Sequence, residues 1–158
     1  MLDKLLSLLD SLDIAELLPA VDTMLEKLAL VMRLCMMIGP IVMAVLGLIY
    51  LLIPPKEANY KAGFRTYFGM GSIQAWRFTQ RLAGLVFSGL GLVLMIVALV
   101  ISGDFGEMGE MEMVTATVDC LFWQAGLAFA GYLGVAITAG VLFDRNGAPR
   151  RKKRKTAR

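Results

Sequence analysis

Leu82-Ala-Gly-Leu-Val-Phe-Ser-Gly-Leu-Gly-Leu-Val-Leu-Met-Ile-Val-Ala-Leu-Val-Ile101 is the stretch whose reading decides the fold. Its 20 residues contain no Asp, Glu, Lys or Arg. A helix rises ~1.5 Å per residue, so about 20 apolar residues cross the ~30 Å hydrocarbon core of a bilayer. Residues 34–53 and 120–143 form two more such runs, of 20 and 24 residues, equally free of those four residue types. Buried helices of a soluble bundle would keep a polar face, and these runs have none. A spanning β-strand would alternate apolar and polar residues over about 10 positions, and these runs do not. In lipid each backbone N–H and C=O must be satisfied within its own segment, which selects the helix. With 58% hydrophobic residues in 158, the chain is too apolar for a soluble surface of its size. The expectation is an all-α integral membrane protein: a bundle of three transmembrane helices, spanning about 29–53, 82–101 and 120–143, preceded by an N-terminal amphipathic helix.

Charge is segregated along the chain. Residues 1–33 carry six acids against Lys4, Lys27 and Arg33. The first connection, 54–81, carries Lys56, Lys61, Arg65, Arg77 and Arg81 against Glu57. The second carries Asp104, Glu107, Glu110, Glu112 and Asp119 and no base. After the third run come Arg145, Arg150, Arg151, Lys152, Lys153, Arg154, Lys155 and Arg158 against Asp144. Lys and Arg are retained on the cytoplasmic side. A multi-pass membrane protein follows, with the N-terminus outside and the first connection and C-terminus in the cytoplasm. The acids within the first thirty residues argue against a cleavable signal peptide.

Three units are expected. Residues 1–28 form an extracytoplasmic segment in which 2–18 make an amphipathic helix, ended or restarted by Pro19. Residues 29–146 form the membrane domain. There Gly39-Pro40 should kink the first span, and Arg33 should snorkel to the headgroups. Gly84 with Ser88, and Ala130 with Gly134, are spaced to let the second and third spans pack on each other. Residues 147–158 form a basic cytoplasmic tail, expected to be disordered and drawn to anionic lipid headgroups. Direct nucleic-acid binding is not expected of so short a run, which lacks aromatics and is tethered to the membrane. Cys35 and Cys120 could be bridged only if their Cα atoms came within ~7 Å, and with no His and no Cys-x-x-Cys pair they define no metal site.

The first connection differs from the rest. Asn59, Gly63 and Arg65 precede a glycine-rich turn over 69–71. Ser72 can then cap a helix through Trp76 and Gln80 into the second span. Trp76 and Gln80 share one face of that helix, Arg77 and Arg81 another. Trp76 suits the bilayer interface, its ring against acyl chains and its N–H in the wet layer. Guanidinium groups and glycine N–H groups can together grip a carboxylate, a phosphate or a peptide backbone. The same arginines could equally do no more than anchor the connection to headgroups.

The run Asn59-Tyr-Lys-Ala-Gly-Phe-Arg-Thr66, followed by Gln74-Ala-Trp-Arg77 and Gln80-Arg81, resembles the signature of SdpI-like membrane proteins. That family takes its name from an immunity protein against a membrane-active toxin of bacteria. The resemblance covers roughly residues 30–145, with Tyr67 standing where family members often carry proline. It implies toxin immunity, or sequestration of a repressor protein at the membrane when a toxin peptide is sensed. It also implies a partner- or ligand-binding connection made of Asn59, Gly63, Arg65, Thr66, Trp76, Arg77, Gln80 and Arg81.

Other classes fare less well. Without histidine, a Ser-His or other histidine-based site cannot be built. Gly69-Met-Gly71 lacks the length and the Gly-Lys-Ser/Thr ending of a phosphate loop. No catalytic residue, cofactor or metal is therefore expected. The alternative, a small subunit of a transport or channel assembly, would need partners to enclose a pathway. The runs also lack the deep charge that ion pathways use.

Overall fold

The computed structural model describes residues 14–56 and 63–150, with side chains from residue 23 onward. Three long helices make up the fold: α1 (Ile14–Leu52), α2 (Ile73–Gly103) and α3 (Glu110–Leu142). A single 3-10 turn, Asp104–Gly106, leads from α2 towards α3. No strand occurs among the described residues; Phe143 and Pro149 form one isolated bridge. The segments Thr23–Leu52, Ile73–Gly106 and Glu110–Leu142 are each long and apolar enough to cross a bilayer. Large apolar side chains point outward along all three, among them Ile38, Val93, Ile96, Val100, Phe129 and Ile137. In water such a surface would aggregate; in lipid it is the solvated face. The protein is thus an all-α, multi-pass membrane protein.

Each helix extends beyond its uncharged run. α2 begins at Ile73, so Arg77 and Arg81 sit on its first turns, on the helix that a Ser72 cap implied. α1 passes through Pro19 without a break, contrary to the expected break or restart there. Proline lacks an N–H, so the Ala15 carbonyl, four residues back, receives no bond from residue 19. Of the expected amphipathic helix over 2–18, residues 2–13 lie outside the described residues.

α1 also stays helical through Gly39-Pro40. Proline has no N–H, so the carbonyl of Met36, four residues back, loses its intrahelical donor. Gln124 of α3 supplies another: its Nε2 donates to the Met36 carbonyl at 2.9 Å. Met36, Pro40 and Gln124 are all buried. The defect in one helix is thereby mended by a side chain of another, and the two are tied together.

The small residues of α2 do not meet α3, as their spacing had suggested. They meet α1. A Cβ added to Gly91 would lie 2.5 Å from the Ala44 amide nitrogen and 2.7 Å from the Pro40 carbonyl oxygen. One added to Gly84 would lie 2.9 Å from the Gly47 carbonyl, and one added to Gly47 would strike the Ser88 backbone. The two backbones touch along this seam, which gives van der Waals packing where lipid gives no hydrophobic drive. Ala130 and Gly134 of α3 face outward, and a Cβ on Gly134 would meet nothing within 4 Å. α3 instead rests on larger side chains, with Gly131 against Leu90 and Val86.

At the acidic end, Phe105 of the 3-10 turn is buried with Met36, Ala98, Met113 and Cys120. Arg33 does more than reach for headgroups: its Nε donates to the Ser102 carbonyl at the end of α2 at 3.1 Å. A cation there complements the negative end of the helix dipole. Hydroxyls inside the spans bond back to their own helices, Thr117 to the Met113 carbonyl at 2.8 Å and Ser102 to the Leu99 carbonyl at 3.1 Å. Cys35 and Cys120 are free thiols, the first exposed and the second buried.

Candidate functional site

At the opposite end, the residues singled out in the sequence separate into two groups. Gly63, Thr66, Trp76 and Gln80 hold the connection together from within. Arg65, Arg77 and Arg81 are exposed. Asn59 lies outside the described residues.

Helix periodicity makes the division. Positions 76 and 80 fall one turn apart on the inner face of α2, and 77 and 81 on the outer face. Trp76 is fully buried, not lodged at the interface as its amphipathic ring had suggested, and its Nε1 donates to the Pro55 carbonyl at 2.8 Å. That bond fixes the chain leaving α1. Gln80, also fully buried, forks onto a single peptide unit pair. Its Nε2 donates to the Phe64 carbonyl at 2.7 Å and its Oε1 accepts from the Phe64 N–H at 2.8 Å. In effect one amide side chain serves the backbone of Phe64 as a neighbouring strand would.

Gly63 is the residue this arrangement demands. Its φ is +118°, a region closed to most side chains, and a Cβ there would stand 2.6 Å from the Trp76 ring. Phe64 then reaches over the bundle, its ring centroid 5.4 Å from that of Phe87 on α2 and 5.3 Å from that of Tyr132 on α3. Thr66 closes the next turn: its Oγ1 accepts from the Gly69 N–H at 3.0 Å, and its carbonyl from the Met70 N–H at 3.2 Å. Phe68 lies against Gly140 of α3.

Ser72 caps α2 as its position implied, accepting the Ala75 N–H at 3.1 Å. It also makes a bond that the sequence did not announce, its Oγ donating to the Gly147 carbonyl at 2.6 Å. Gly147 sits with φ +71° in a turn that packs directly against Gly71 and Ser72. Asp144 builds that turn, its Oδ1 accepting from the N–H groups of Asn146 at 2.9 Å and Ala148 at 2.8 Å. The Arg150 N–H donates to the Leu142 carbonyl at 2.9 Å. The basic tail, expected to be disordered from residue 147, therefore begins with four ordered residues; 151–158 lie outside the described residues. The cue was legible in Asp144-Arg-Asn-Gly147, since aspartate bonds to backbone two residues on and Asn-Gly favours a turn.

The result is a braced cap in which residues 63–72 are clamped between α2, α3 and the turn after α3. Among the described residues no buried side-chain nitrogen or oxygen lacks a partner, and no three of His, Cys, Asp and Glu come together to hold a metal. What the cap offers outward is Arg65, Tyr67, Ile73, Gln74, Arg77 and Arg81.

A three-span membrane bundle with one braced, arginine-bearing cap is the class that fold and site define. Residues 56–143, more than half of the chain, match the model of the SdpI/YfhL protein family, and the chain belongs to that family. The match takes in the whole cap up to the turn that supports it. No curated protein and no solved structure matches the chain.

Proposed function

We propose that the protein works without catalysis in the bacterial cell membrane, as an immunity or signalling protein against a membrane-active toxin peptide. In this reading the cap and the C-terminus face the cytoplasm, and the N-terminus and the acidic connection face outward. The cap either confers protection itself or holds a regulator, such as a repressor protein, at the membrane. The basic tail adds attraction to anionic headgroups.

The observation that carries the reading is the division of labour within the motif. Gly63, Thr66, Trp76 and Gln80 are spent on fixing the backbone of 63–72, and a segment so firmly held presents Arg65 at a defined place. Preorganisation of this kind lowers the ordering cost of binding. The test is Arg65→Ala in cells challenged with the cognate toxin, with expression matched to the unmutated protein. Protection, or toxin-dependent release of the regulator, should be lost. Full protection would remove the cap from the mechanism.

A further inference from the structure

We infer that Arg77 and Arg81 form a binding site for one anionic phospholipid, its phosphate held by the two guanidinium groups and an acyl chain lying in the groove beside them. The inference is separate from the role given to Arg65, since it concerns the outer face of α2.

Both arginines line two adjoining grooves. One, of about 730 Å³, is walled by Ile73, Phe78, Leu82, Leu85 and Phe143 as well as the arginines. The other, of about 370 Å³, lies across them against Leu52, Ile53 and Lys56 at the end of α1. The pair thus forms a ridge, with a third cation on one flank. Residues one turn apart have Cβ atoms about 5–6 Å apart, close enough for two long side chains to converge on one phosphate. Neither guanidinium has a partner among the described residues, and no described acid lines either groove.

Depth argues for a lipid over an acidic peptide. Arg81 immediately precedes the uncharged run that opens at Leu82, so the arginines stand at the polar boundary of the bilayer. The groove then continues past Leu82 to Leu85, which is 59% exposed and belongs to the spanning segment. Phe78 and Phe143, with ring centroids 5.5 Å apart, form part of its wall. A site whose charged mouth opens into an apolar, lipid-facing channel matches a molecule with a phosphate at one end and a hydrocarbon chain at the other. Basic sites beside span ends hold anionic headgroups on this principle.

The experiment uses the full-length protein in detergent with phosphatidylglycerol carrying a photoreactive group in one acyl chain. Phosphatidylcholine with the same chain is the neutral reference. Labelled peptides are mapped by mass spectrometry. The glycerol lipid should label residues of the groove in preference to the choline lipid. Saturation should occur at one lipid per chain. Labelling should weaken about fivefold for each arginine removed in Arg77→Gln and in Arg77→Gln/Arg81→Gln. Lys152→Gln/Lys153→Gln, which removes the same charge from the tail, should leave the groove labelled. Equal labelling by the two lipids of the unmutated protein would overturn the inference without recourse to any variant. So would equal losses from the tail pair and the arginine pair. Retention of an acidic peptide at Arg77 and Arg81, with no preference among lipids, would assign the site to a protein partner instead.

Discussion

Gln80 shows how much of the cap rests on single side chains. Its amide satisfies both the N–H and the C=O of Phe64 from a fully buried position. Gln80→Leu keeps the bulk and removes both bonds, leaving two part-buried backbone groups unpaired. Each such group costs about 1–3 kcal/mol, so the cap should lose about 2–6 kcal/mol. Trp76 provides the readout, because it is buried beneath the cap while the other tryptophan, Trp123, is 73% exposed towards lipid. In a Trp123→Phe background, Gln80→Leu should shift Trp76 emission to the red and lower the melting temperature in detergent. Unchanged emission and melting would mean that the fork is incidental. The sequence displayed the partition of Trp76 and Gln80 from Arg77 and Arg81, because four-residue spacing on a helix is geometry. It did not display which pair would face inward. Tryptophan and glutamine suit an interface as well as an interior, and burial depends on Pro55 and Phe64 arriving from elsewhere in the chain.

At the scale of helices, the bond between Gln124 and the Met36 carbonyl exists because Pro40 cannot make it. That dependence predicts the sign of a coupling. In the presence of Pro40, Gln124→Leu removes the carbonyl's donor and should cost about 1–2 kcal/mol, near the upper end for hydrogen bonds between membrane helices. With Pro40→Ala the backbone N–H of residue 40 returns to serve Met36, and the same substitution at Gln124 should cost markedly less. A double-mutant cycle of unfolding in mixed micelles measures the difference. Strictly additive effects would show that the two residues act independently. The helices themselves could be read from three uncharged runs, and Pro54-Pro55 marked the end of α1 correctly. Their neighbours could not. Runs that are apolar on every side have no face to point with, so only small residues remained as a guide. In α2 these gave the right surface, Gly84, Ser88 and Gly91, and the wrong partner. Close approach needs a matching seam, and Pro40, Ala44 and Gly47 of α1 supply it, whereas Ala130 and Gly134 of α3 look away from the bundle.

For the molecule as a whole, the two ends of the bundle differ in charge as sharply as in construction. The cap end holds Lys56, Arg65, Arg77, Arg81, Arg145 and Arg150; the other holds Asp104, Glu107, Glu110 and Glu112. The three spans place the two connections at opposite ends, so the basic cap and the acidic connection favour the same orientation, against Arg33 alone among the cations that pack at the acidic end. Two exposed positions test this directly: Tyr67 on the cap, 73% exposed, and Met111 at the acidic end, 78% exposed. With Cys35 and Cys120 replaced by serine and alanine, single cysteines in Tyr67→Cys and Met111→Cys are challenged with a membrane-impermeant maleimide on intact cells. Met111→Cys should react from the medium and Tyr67→Cys only after permeabilisation. The reverse pattern would turn the cap outward. A toxin arriving from the medium would then meet Arg65 directly, and sequestration of a cytoplasmic regulator by the cap would be impossible. The lipid site at Arg77 and Arg81 would survive that inversion, since a phosphate is bound by the same guanidinium groups in either leaflet. Orientation therefore separates the two proposals, and the labelling outcome decides which part of the chain's chemistry can be assigned to a partner in the cytoplasm.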